Sequence, residues 1–101
     1  MQKVYEDLKQ GRDIRNNLIA LKQMLKEEGA LEEYLSMTED DELIASFLQN
    51  EDAKIRKNAA LVLGLLQSQE SIEKIWEAYV AESQLFVRGA YLSALQKLNC
   101  R

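Results

Sequence analysis

An all-α fold of about seven helices is what this sequence predicts, and three observations predict it. Apolar residues recur at i, i+3, i+4 and i+7 along most of the chain, the spacing of a helix with one buried face. No window alternates at period two for long enough to make a strand. The 101 residues include no Pro and only four Gly, so little interrupts helix growth.

Each element has its own justification. Val4, Tyr5 and Leu8 make a short amphipathic helix that Gly11 interrupts. From Asp13 to Glu28, the residues Ile14, Leu18, Leu21 and Leu25 fall on one face; Asp13 is the expected N-cap and Gly29 the expected stop. Leu31, Tyr34 and Leu35 define a short third helix ending near Ser36. Thr38 is expected to cap the fourth, with Glu39, Asp40 and Asp41 in its first turn, where negative charge suits the helix dipole. Leu43, Ile44, Phe47 and Leu48 are its apolar stripe. After the polar break Asn50-Glu51-Asp52, residues 53–67 are apolar almost all round, which marks the most central helix. Ile72, Ile75, Trp76, Tyr79 and Val80 form the stripe of the sixth helix, with Trp76 and Tyr79 expected in the core. Val87, Ala90, Tyr91, Ala94, Leu95 and Leu98 form that of the seventh.

Composition excludes several function classes. The length fits one domain. A hydrophobic fraction of 47% with 30% charge describes a globular chain rather than a disordered one. No apolar run approaches a membrane span, and no secretory signal opens the chain. The single Cys, Cys100, cannot form an internal disulfide, so a reducing, cytoplasmic setting is expected. The absence of His removes the commonest general base and metal ligand. Charge is uneven: residues 27–53 hold ten acids and no base, whereas residues 54–101 hold seven bases and four acids. Acid at helix starts explains much of this, and an acidic edge facing a basic partner is the alternative. A net charge of -4 argues against a phosphate backbone as the main ligand, so nucleic acid is not expected as a partner.

The chain repeats itself. Ile55-Arg56-Lys57-Asn58-Ala59-Ala60-Leu61-Val62-Leu63-Gly64-Leu65-Leu66 aligns with Val87-Arg88-Gly89-Ala90-Tyr91-Leu92-Ser93-Ala94-Leu95-Gln96-Lys97-Leu98, 32 residues on. Both keep a β-branched residue plus Arg, then small residues, then two Leu three apart. A weaker copy starts at Ile14-Arg15. These residues resemble the HEAT repeat family, through Asp52, Ile55, Arg56, Ala59, Ala60, Leu63, Gly64 and Leu66 in one unit and Val87, Arg88, Ala90, Ala94, Leu95 and Leu98 in the next. The resemblance covers residues 38–98 well and the preceding part poorly. It implies a short right-handed α-solenoid of stacked antiparallel helix pairs in one domain, 1–101, with a degenerate unit at 1–37 and repeats at 38–67 and 70–98. Small residues at Ala59, Ala60, Ala90 and Ala94 permit the close helix approach that such stacking needs. A compact irregular bundle is the rival that the same stripes allow. Asp52, just before its helix, can cap it, and Arg56 can pair with an acid in the neighbouring turn. The last unit has Gln84 where Asp52 would fall, which leaves a continuous Asp–Arg ladder open.

No constellation carries catalytic chemistry. The paired acids fall at helix ends or on solvent faces, without the desolvated pocket that a raised pKa needs. Glu39 to Glu42 is a consecutive run without the Gly and alternation of a calcium loop. No metal, cofactor or catalytic residue is expected. Arg15, Arg56 and Arg88 recur at one place in each unit, as structural ion-pair formers. The resemblance places the second helix of each unit on the concave side. Lys57, Leu61, Gly64, Gly89, Ser93 and Gln96 are then the expected binding face, small and weakly charged, with Leu61 as apolar anchor. The function this predicts is a non-enzymatic scaffold module that docks a protein or peptide. The alternative is an N-terminal or helper domain of a larger enzyme, such as one acting on RNA. Leu85, Phe86 and Leu92 lie off the last core stripe. The array is therefore expected to continue past Arg101, or to self-associate through Phe86 and Leu92 of the C-terminal helix.

Overall fold

The computed structural model describes residues 1–38 and 41–99. Among the described residues there are seven α-helices and no strand: α1 Gln2–Lys9, α2 Ile14–Met24, α3 Ala30–Met37, α4 Glu42–Ser46, α5 Ala53–Leu65, α6 Ile72–Ala81 and α7 Leu85–Asn99. Short 3-10 turns follow α4, at Phe47–Gln49, and precede α6, at Gln69–Ser71.

The helix ends correct several expectations. α2 stops at Met24 rather than Glu28, because Lys26 and Glu27 bond back to Gln23 and Met24 in tighter turns. Glu27 and Glu28 at a helix C-terminus would oppose the dipole, so the chain leaves the helix before them. Gly29 is not a stop; it precedes α3 as its N-cap, at a φ of 82° that favours glycine. Thr38 ends α3, and Asp41 sits at the N-cap of α4. Glu39 and Asp40, expected in that first turn, lie outside the described residues, as does Cys100. Asp13 does hold the N-cap of α2, but its left-handed backbone, φ 44°, turns the carboxylate off the helix amides. It accepts from the Asn16 side chain instead.

α5 is the centre of the molecule, as its all-round apolarity predicts. It packs against both α2 and α7, while α1 lies on α2, α4 on α5 and α6 on α7. Two contacts fix the direction of each neighbour. Arg15 at the start of α2 bonds Asp52 at the start of α5, and Lys22 further along α2 reaches Asn58 further along α5. Arg56 near the start of α5 bonds Glu82 just before α7, and Gly64 near the end of α5 touches Ala94 and Lys97 towards the end of α7. The helices α2, α5 and α7 therefore lie side by side and run parallel. Between them and the other helices sits a core that includes Leu18, Leu21, Tyr34, Ile44, Leu63, Ile75, Tyr91 and Leu98, all nearly or fully buried.

The α5–α7 contact explains one glycine. A Cβ built on Gly64 would stand 3.2 Å from the Ala94 Cα, a backbone atom with little room to move. Gly89, inside α7, has nothing within 4 Å of the same position. Gly89→Ala is expected to raise stability by about 0.5–1 kcal/mol, the usual helix gain over glycine. Gly64→Ala is expected to lower it by about 1 kcal/mol, because α7 must be pushed off its seat. Urea unfolding of the two variants checks the opposite signs.

Candidate functional site

The three parallel helices begin beside a row of ion pairs. Asp52 caps α5, accepting from the Lys54 amide at 2.8 Å, and its other oxygen takes the Arg15 guanidinium at 2.8 Å. Glu82 does the same work before α7. Its Oε2 accepts from the Gln84 amide at 3.1 Å and from Arg56 Nη2 at 2.9 Å; its Oε1 accepts from Arg56 Nε at 2.8 Å and from the Tyr91 hydroxyl at 3.3 Å. Arg56 Nη1 donates onward to the carbonyls of Asn50 and Glu51. The sequence register points to Gln84 as the counterpart of Asp52. The acid lies two residues earlier, and the longer Glu side chain makes up the distance. Asp52 and Arg56 thus tie α5 to its two neighbours, Asp52 to α2 and Arg56 to the residue just before α7. Arg88 is not an ion-pair former among the described residues: its guanidinium lies over the Tyr79 ring, 4.4 Å from the centroid.

This network sets a pH dependence. The bidentate Arg56 guanidinium holds the Glu82 carboxyl below its ordinary 4.5, against the opposing effect of burial. Burial, then the Glu82 charge, pushes the Tyr91 hydroxyl up to about 12. A lowered acid stabilises the fold above its unfolded pKa and is lost as pH falls through the folded one. A raised phenol stabilises below its unfolded pKa and is lost as pH rises. The melting temperature is expected to be flat from neutral pH to about 10 and to fall between about 10 and 12. It should fall again below about 4.5, and in Tyr91→Phe the alkaline fall should shrink.

Beyond the ion pairs, α2, α5 and α7 share a chemical property. They make up more than a third of the chain, yet every one of its 17 acids lies outside them. Their charges are Arg15 and Lys22 on α2, Lys54, Arg56 and Lys57 on α5, and Arg88 and Lys97 on α7. The residues expected on the binding face belong to α5 and α7. Lys57 and Leu61 are half-exposed, and Gly89, Ser93 and Gln96 are exposed. Since Gly64 meets Ala94 and Lys97, one turn back on each parallel helix brings Leu61 level with Ser93. Gly64 itself is a correction: it is buried against Ala94, the close-contact role of a small residue, and offers no surface. Sequence reasoning also missed three residues of this face. Lys22 bonds the Asn58 side chain at 3.0 Å, and Lys97 lies beside Gly64. Phe86, 49% exposed, precedes Ser93 and Lys97 at i, i+7 and i+11. The signal was available by counting charge per helix rather than per third of the chain.

Two other surfaces complete the map. On α6, Trp76 and Tyr79 were expected in the core, but Trp76 is 45% exposed and Tyr79 half-buried, and Val80 of the same stripe is 81% exposed. Among the described residues only Ile75 of that stripe is fully covered, and the main helix contact of α6 is with α7. Leu85 and Leu92 of α7, also exposed, share a helix face with Arg88 and so continue this end surface. A groove of about 880 Å³ opens between α4 and α6, with Leu48 and Ala78 in its lining. It reaches Arg56, Glu82 and Tyr91, whose hydrogen bonds are spent on one another. Among the described residues no three His, Cys, Asp or Glu converge on a metal position, and no helix is long and apolar enough to cross a membrane. Compared with known proteins, the chain matches no family model, no curated protein and no solved structure.

Proposed function

We propose that this chain is a non-enzymatic interaction module of HEAT-like type, a short right-handed solenoid whose α2, α5 and α7 line a concave face that docks a protein or peptide. The observation that carries the reading is the parallel run of these three helices, tied unit to unit by Arg15–Asp52 and Arg56–Glu82. An ordered row of equivalent helices presents a continuous surface, which is how repeat arrays bind. Glu82, the more buried of the two buried acids among the described residues, has both oxygens committed, so it is in no position to act as a general base. Photo-crosslinking residues placed at Leu61 and Ser93, with controls at Glu32 and Glu73, test this in extract of the source cell. A saturable protein adduct from the first pair alone, competed by unlabelled wild type and not by Leu61→Glu, is the expected result. Equal labelling from all four positions, or none, contradicts it.

A second reading concerns the end surface, which we propose joins a second copy of the chain. Exposed Trp76, Val80, Leu85 and Leu92 favour it, because four large apolar residues on one end exceed what a capping unit shows. Phe86, first grouped with Leu92, belongs by register to the other face. A concentration-dependent sedimentation coefficient, with a blue-shifted Trp76 emission, is expected for wild type and lost in Leu92→Glu. A wild type that sediments as a monomer at all concentrations overturns it.

A further inference from the structure

We propose that the α2–α5–α7 face takes an acidic protein segment, one that sets several carboxylates around one or two large apolar side chains. The inference rests on the binding face proposed above and names the chemistry of its occupant. The first argument is the missing acid. Helix starts welcome carboxylates, and α3 has two in its first turn, α4 and α6 one each. The first turns of α2, α5 and α7 have none, although the same dipole acts there. Acid stands just before each of these helices, as Asp13, Asp52 and Glu82, and nowhere along them.

The second argument is what the cations do. Arg15 and Arg56 are neutralised by Asp52 and Glu82, and Arg88 rests on Tyr79. Lys57 and Lys97 meet no carboxylate within ion-pair distance among the described residues. Lys22 donates only to a neutral amide oxygen, Asn58 Oδ1. Burial, then the charges of Lys57 and Lys26, pushes its ammonium below the ordinary lysine value. The fold thus gathers like charges from two helices and leaves them uncompensated, a repulsion that an incoming carboxylate relieves.

The third argument separates the classes of anion. Phosphate backbones are best held by arginine forks, and all three arginines of these helices are already engaged. The free cations are lysines, and the same helices carry Leu61, half-exposed, and Phe86, exposed. Apolar side chains together with point charges suit a peptide with its own apolar residues, and the net charge of -4 repels a long polyanion from the remaining surface.

Selection of a random-peptide display library on the immobilised chain, beside a random single-stranded RNA pool, tests the proposal. Selected peptides are expected to be rich in Asp and Glu with Leu, Phe or Trp between them. They should bind the double variant Lys57→Glu, Lys97→Glu at least about tenfold more weakly, and raised salt should weaken them too. A circular-dichroism melt of that variant matching wild type shows that folding is not the cause. Neutral or basic consensus peptides that still depend on Leu61 would overturn the charge inference and leave the binding face standing. No selected peptide at all would remove both. RNA bound more tightly than any peptide, and lost in the same variant, would replace the acidic segment with a nucleic acid.

Discussion

Glu82→Ala is expected to lower the unfolding free energy by about 3–5 kcal/mol, the cost of stranding the partner of a buried ion pair. That is a large part of the roughly 5–15 kcal/mol available to a domain of this size. Glu82 is almost fully buried, and its loss leaves the Arg56 guanidinium, itself mostly covered, without its carboxylate. The Gln84 amide and the Tyr91 hydroxyl lose an acceptor in the same step. Adding Arg56→Ala should cost little more, because the stranded charge goes with it. Urea denaturation of the four members of this cycle reads the coupling directly. Additive losses would mean that Arg56 and Glu82 hold the fold independently rather than as a link between α5 and α7.

Leu63→Ala is expected to cost about 2–5 kcal/mol, the usual range for truncating a buried Leu. The side chain is 0% exposed and lies in the one helix that contacts both of its parallel neighbours. Full burial in the central helix leaves the cavity little chance to fill, so the upper half of the range is expected. An unchanged thermal melt would place Leu63 off the core and shift the phase of α5 by a position.

How much of this was legible in the sequence depends on the kind of signal. The 32-residue offset aligns Ile55 with Val87, and the two helices that hold them, α5 and α7, pack together with Gly64 at the contact. The same alignment misplaced one rung of the ion-pair row, because alignment equates positions whereas a guanidinium is satisfied by any carboxylate within reach. Glu82 reaches from two residues upstream of Gln84. The core expectation for Trp76 failed differently. A helical stripe reports which residues share a face, not whether a neighbour covers it, and part of the α6 stripe stays exposed. Thr38 was a sound cap by type, but Asp41 stands closer to where the apolar stripe of α4 begins. Acid was read along the chain, as a negative middle third. The structure sorts it by layer instead, because α2, α5 and α7 are distant in sequence and adjacent in space.

The most direct measurement of the proposed binding face is an amide chemical-shift map of the isotope-labelled chain, titrated with a peptide selected as above. Perturbed amides are expected to cluster around Lys22 on α2, Lys57 and Leu61 on α5, and Phe86 and Ser93 on α7, with α1 and α3 unchanged. Perturbations confined to the groove between α4 and α6, or to Trp76 and Leu92 at the end surface, would contradict it.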